Sequence, residues 1–149
     1  MMAVSTRIRY GLRALIYLAR DHKEQFIPLN FISEKEHISQ KYLENIFTLL
    51  KKGKIVTAVR GPEGGYTLTK PPAELTVYEI VKALEGPIAP SKCVSDPHRC
   101  SNTGDCGTRD FWKEFQEHTE HFFKSKTLSE VVGQVHKGNG DGKKTCLYG

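Results

Sequence analysis

The stretch 38–69, ISQKYLENIFTLLKKGKIVTAVRGPEGGYTLT, leaves few architectures open. Leu43, Ile46, Phe47 and Leu50 fall three and four residues apart, so a helix gathers them into one apolar stripe. Ser39 stands where a helix start needs an acceptor for its unpaired N–H groups. Ile38 before it has the spacing to staple onto Leu43. Lys51 and Lys52 suit the negative end of the helix dipole, and Gly53 is expected to stop the helix in the left-handed conformation. Ile55, Val56, Thr57 and Val59 then make a β-branched run over 54–60, GPEGG makes a turn, and 66–69 reads as the returning strand. Positive φ angles in that turn are the expected reason for Gly64 and Gly65. Pro71 and Pro72 close the hairpin.

The flanking segments extend the pattern. Over 6–20, Ile8, Leu12, Leu15, Ile16 and Ala19 recur at helical spacing, with Ser5 or Thr6 as cap. Tyr10, Tyr17 and Leu18 widen the apolar face, so this helix should be well buried. The segment 28–34 suffices for two turns, and only Glu36, His37 and Ile38 separate it from the capped helix. After the hairpin, Thr76 and Glu79 fit a capping box. Val77, Ile80, Val81 and Leu84 line that helix, and Gly86-Pro87 closes it. Helix, short helix, capped helix, hairpin is the order of a winged helix-turn-helix domain. The expected fold is therefore mainly α with a small β-hairpin wing, followed by a long C-terminal helix. In such a domain the front of the capped helix enters the DNA major groove.

Charge supports that assignment. The net charge is +5, yet residues 1–70 alone carry +6, residues 71–136 carry −3 and residues 137–149 carry +2. The basic excess thus lies in the winged half, as a polyanion-facing surface requires. No apolar run approaches the ~20 residues of a membrane span. The start, MMAVSTR, lacks the apolar core of a secretion signal, so a cytoplasmic location is expected. No nucleophile–base pair or phosphate loop appears, and an enzyme is not expected.

Seven side chains are candidate DNA contacts. Asn45 and Gln40 can pair with adenine, Glu44 can accept from cytosine, and Lys41 can reach guanine or phosphate. Ser39 serves first as a cap and second as a phosphate contact, and Tyr42 lies beside them. Arg60 stands at the wing, where an arginine suits a narrow, electronegative minor groove.

Residues 89–109 change character. They are polar and turn-rich, and they hold Cys93, Cys100 and Cys106 in the spacing C-x6-C-x5-C. A polar loop offers no core for buried thiols, and disulfides are disfavoured in a reducing compartment. Clustered thiolates suit soft metals and iron–sulfur clusters. Zinc held by the three thiols with His98, or redox-active thiols without metal, are the alternatives. From Asp110 the helical period resumes. Phe111, Trp112, Phe115, Phe122 and Phe123 put five large aromatics in 13 residues, more than a lone surface helix needs. His118 and His121 fall on the same helix and read as interface residues. Leu128, Val131, Val132 and Val135 continue an apolar pattern after a break near Ser125 and Lys126. The tail 137–149, with Cys146, has no period and is expected to be mobile and outside the cysteine set.

At this point the chain resembles a known family. Tyr42-Leu43-Glu44, Val59-Arg60-Gly61-Pro62, Gly64-Gly65-Tyr66 and the following LTVYEIVKALEG are similar to the bacterial Rrf-two (BadM) family of transcription regulators. The resemblance runs from about residue 6 to about residue 135. It implies a homodimer on a roughly palindromic DNA operator, with two recognition helices about one helical turn of DNA apart. The helix over about 110–124 would cross its partner. The resemblance also implies that Arg60 acts at the wing and that Cys93, Cys100 and Cys106 hold an iron–sulfur cluster, either 2Fe–2S or 4Fe–4S. The fourth ligand departs from the family. Arg109 stands where one cluster-bearing type has histidine, and Arg9 stands where another has an acidic residue. Asp105, Asp110, His98, water or a small thiol remain as candidates.

The organisation expected is a DNA-binding domain over 1–88, with the helix-turn-helix at about 28–52 and the wing at about 54–70. A cysteine sensor loop over 89–109, a dimerisation region over 110–136 and a tail over 137–149 follow. The function expected is that of a repressor whose operator binding responds to the cluster. A thiol-redox or metal sensor of the same fold, and a cluster-free interaction module, are the alternatives.

Overall fold

The computed structural model describes residues 4–20, 26–101 and 104–137. The chain runs through α1 (Thr6–Arg20), α2 (Leu29–Glu36), α3 (Gln40–Lys52), β1 (Val56–Val59), β2 (Gly65–Leu68) and α4 (Val77–Glu85). It continues through α5 (Lys92–Ser95), a 3₁₀ turn (Pro97–Arg99), α6 (Arg109–Ser125) and α7 (Leu128–Lys137). The fold is mainly helical with one antiparallel hairpin, in the winged-helix order. β1 and β2 pair from Val56↔Leu68 to Val59↔Gly65. Ile27, just before α2, bridges to Tyr66, and the two residues exchange backbone hydrogen bonds of 2.9 Å in each direction.

The core follows the apolar spacing. All four residues of the α3 stripe are buried, together with Ala14, Leu15 and Leu18 from α1, Ile32 from α2, and Ile80 and Leu84 from α4. Leu12 packs half-buried against this cluster. Ser39 caps α3, its Oγ accepting from the Tyr42 N–H at 3.3 Å. The capping box of α4 is complete. Thr76 Oγ1 accepts from the Glu79 N–H at 3.2 Å, and a Glu79 carboxylate oxygen accepts from the Thr76 N–H at 2.9 Å. These caps satisfy N–H groups that a helix start cannot pair internally.

Two glycines act for reasons other than those expected. Gly53 does end α3, but at φ −76°; the left-handed residue is Lys54, at φ 58°. Gly53 is needed because α4 comes close, since a Cβ there would lie 2.5 Å from the Ala83 Cβ. Gly64 is likewise not a positive-φ residue, whereas Gly61 and Gly65 are. A Cβ on Gly64 would meet the Val59 carbonyl oxygen at 2.4 Å, so the tight wing tip excludes a side chain. Gly53→Ala should therefore force α3 and α4 apart. The expected loss is about 1–3 kcal/mol, as for overpacking generally, read as a lowered urea midpoint.

Residues 110–136 form two helices with different surroundings. α7 opens on a second capping box, in which the Glu130 N–H donates to Thr127 Oγ1 at 3.3 Å and the Thr127 N–H donates to the Glu130 carboxylate at 2.7 Å. Its first turn is tied back to the segment before α4: the Leu128 N–H donates to Leu75 O and the Val77 N–H to Lys126 O, each at 2.8 Å. Leu128 is fully buried in the main core, and α7 lies against α1. α6 packs against α4 and α5 and has no fully buried residue. Phe111 and Phe122 on it are 61% and 57% exposed. Among the described residues no helix is long and apolar enough to cross a membrane. The tail beyond Lys137, with Cys146, lies outside the described residues.

Candidate nucleic-acid interface and thiol loop

The buried stripe of α3 turns its other side outward. Gln40, Lys41, Glu44 and Asn45 are all exposed on that helix, and Ser39 is exposed at its start. Gln40 Nε2 donates to Glu44 Oε1 at 3.2 Å, which pre-orients two of the base-reading candidates. Ser39 is occupied as the cap. Tyr42 stands apart from the exposed set. It is half-buried, its hydroxyl lies 3.1 Å from Thr6 Oγ1, and its ring meets Tyr10 edge-on at 6.0 Å between centroids. Its phenol therefore fastens α3 to α1, a link to Thr6 that the sequence spacing did not reveal.

The turn before α3 is built by local polar contacts. His37 takes a left-handed φ of 54°, its N–H donates to Ser33 O, and Ser33 Oγ donates to Ile38 O at 2.6 Å. Behind it, Glu36 accepts from the Tyr17 hydroxyl at 2.7 Å and pairs with Arg13. Burial first, and the Glu36 carboxylate second, push the Tyr17 hydroxyl up to about 12. α1 and α2 are thereby fixed to each other next to the helix that would read DNA. In the wing, Arg60 is exposed immediately after β1, followed by exposed Gly61, Pro62 and Glu63.

The cysteine segment is more ordered than a loop. Cys93 lies in α5 and Cys100 follows the 3₁₀ turn, while Cys106 precedes α6; all three are half-buried and none forms a disulfide. Hydroxyls two residues away attend two of them, Ser91 Oγ at 3.1 Å from Cys93 Sγ and Thr108 Oγ1 at 3.4 Å from Cys106 Sγ. These Ser-x-Cys and Cys-x-Thr pairs were visible in the sequence but not singled out. The Thr108 hydroxyl and N–H, with the Arg109 charge, hold the Cys106 thiol below its usual range. Donor type thus fits a soft metal or cluster. Position does not yet, because no group of three His, Cys, Asp or Glu among the described residues could hold a metal ion. Of the candidate fourth ligands, His98, Asp105 and Asp110 are exposed. Arg109 begins α6 with a buried Nε and lines a small cavity of about 200 Å³ with Val94 and Lys113.

Comparison with known proteins agrees with this layout. The Rrf2 family, described as iron-dependent transcriptional regulators, matches residues 4–134. The HTH-type transcriptional regulator IscR of Serratia proteamaculans is 33% identical over 131 residues, covering 88% of this chain and 79% of its own. The structure of CymR, the global cysteine regulator of B. subtilis, matches with a TM-score of 0.73 and 30% identity, over 90% of this chain and 98% of that one. T. potens IscR matches with a TM-score of 0.75 and 27% identity, over 95% and 94%. The relatives are regulators rather than enzymes. A match across nearly the whole chain, joined to the winged-helix order and the three-cysteine segment, places this protein in the Rrf2 family of DNA-binding transcriptional regulators.

Proposed function

We propose that this chain is a homodimeric repressor that reads a roughly palindromic operator, and that an iron–sulfur cluster held by Cys93, Cys100 and Cys106 governs the binding. The observation that carries the DNA-reading part is the exposed front of α3 on the basic half of the chain, with the wing close behind it. Gln40 and Asn45 pair with adenine, Glu44 accepts from cytosine, and Lys41 takes guanine or phosphate. Ser39 adds a phosphate contact, Tyr42 sets the angle of α3, and Arg60 enters the minor groove. Exposed Phe111 and Phe122 support α6 as the dimer face.

A bound cluster would supply a redox- and ligand-sensitive centre. The chain's own part is mechanical: the cysteine segment joins α4 to α6, and α6 packs on α4. Drawing the three thiols together would move α6 against α4 and so alter the spacing of two reading heads. A thiol sensor without iron is the second reading. The separation of the three thiols and the likeness to CymR favour it.

Anaerobic purification followed by iron, sulfide and visible absorption measurements separates the two. The cluster reading expects bound iron and sulfide, and a visible band lost on replacing Cys93, Cys100 or Cys106 with alanine. Cys146→Ala should leave the band unchanged. Colourless wild-type protein, with DNA binding that changes on thiol oxidation alone, would establish the second reading instead.

A further inference from the structure

One side of α6 is exposed at Phe111, His118 and Phe122, with Phe115 half-buried among them, and it has an internal pattern. Phe111, Phe115, His118 and Phe122 follow one another at spacings of four, three and four, which aligns them along one side of the helix. Half-buried Trp112, Gln116, Thr119 and Phe123 repeat the spacing on the side about 100° round, consistent with α6 packing there on α4 and α5. His118 therefore sits in the middle of the outward stripe, its side chain 79% exposed and 3.7 Å from Glu114. Glu114 and His121 flank the stripe on one edge, one heptad apart. An acid and an imidazole in equivalent flanking positions are not what a self-association face would carry if like residues met.

We propose that α6 pairs antiparallel with α6 of a second copy, in the register that sets Glu114 of each chain against His121 of the other. This rests on the dimer reading above and adds its register and polar determinants. In a two-fold interface, residue i meets j and j meets i. A parallel pairing would instead bring Glu114 to Thr119 and His121 to Lys126, leaving the acid without a cationic partner. The antiparallel pairing turns both into acid–imidazole contacts. The same register stacks Phe111 on Phe122 and Phe115 on His118, giving two layers of each kind across the axis. The exposed aromatics are thus covered, and His118 is packed by a ring rather than opposed to its own copy. Shifting the antiparallel register by one heptad would oppose Glu114 to Glu114 or His121 to His121.

Sedimentation equilibrium of the full chain tests this. His121→Glu should raise the dimer Kd about tenfold, because two carboxylate–carboxylate contacts form per dimer. Adding Glu114→Lys to the same chain creates two lysine–carboxylate contacts and should restore the wild-type Kd or better. Residues 114 and 121 are two turns apart on one helix and do not meet within a chain, so the rescue reports contact between chains. A double variant as weak as His121→Glu alone overturns the register. Phe122→Asp keeps the underlying reading separate: it should give folded monomers by circular dichroism and sedimentation. If it does and the rescue fails, α6 is the seam but the register is wrong. If Phe122→Asp stays dimeric, or wild-type protein is monomeric, the α6 dimer reading itself falls.

Discussion

Replacing Phe47 with alanine is expected to lower the unfolding free energy by about 3–5 kcal/mol, the usual range for a buried phenylalanine. Phe47 is fully buried, and its ring meets Tyr66 at 4.7 Å between centroids. It is thus the link between the recognition helix and the wing, since Tyr66 lies in β2 and is also bridged to Ile27. Truncation removes apolar burial and leaves a cavity under all three segments. Domains of this size are held by only about 5–15 kcal/mol, so a large share of the stability goes. Urea unfolding should show a lower midpoint with an unchanged slope, and DNA affinity should fall in parallel because α3 and the wing lose their common support.

The second large effect is on binding. Affinity for duplex DNA should drop steeply with salt, by about 10³–10⁵ between 50 and 200 mM if 6–10 phosphates are neutralised. The exposed cations expected to act are Lys41 and Arg60. Each occurs twice in a dimer, so removing either should make the slope of log affinity against log salt shallower by about 1.8. Arg60→Ala should act most on sites with a narrow minor groove. Fluorescence anisotropy across a salt series measures both; a flat response would show that the basic half does not face DNA.

Much of the fold was legible because its signals are local. The Ser39 cap, the stripe from Leu43 to Leu50 and the Thr76–Glu79 box each act within four residues, and each appears where its spacing predicts. What escaped depends on distant approach. Gly53 looked like a conformational stop, yet its reason is Ala83 on another helix, and Gly64 answers to the carbonyl of Val59. The start of α7 carries the same Thr-x-x-Glu signature as α4 but was absorbed into a longer apolar pattern, so the anchoring of Leu128 in the main core was missed. Tyr42 has a sequence position beside the DNA candidates, but its phenol turns to Thr6. The thiol spacing was plain, whereas α5 and the placement of the three sulfurs were not, because spacing alone sets no geometry between half-exposed side chains.

The central claim is that the front of α3 reads DNA sequence. The direct measurement is selection of bound fragments from a random duplex pool, with wild-type protein and with Gln40→Ala/Asn45→Ala. Both side chains are exposed, so the variant should fold normally. Wild-type protein should enrich one roughly palindromic sequence with half-sites about one helical turn apart. The variant should retain salt-dependent binding but lose preference at the positions those two residues read. Enrichment of the same sequence by both proteins, or of none by the wild type, would contradict the account.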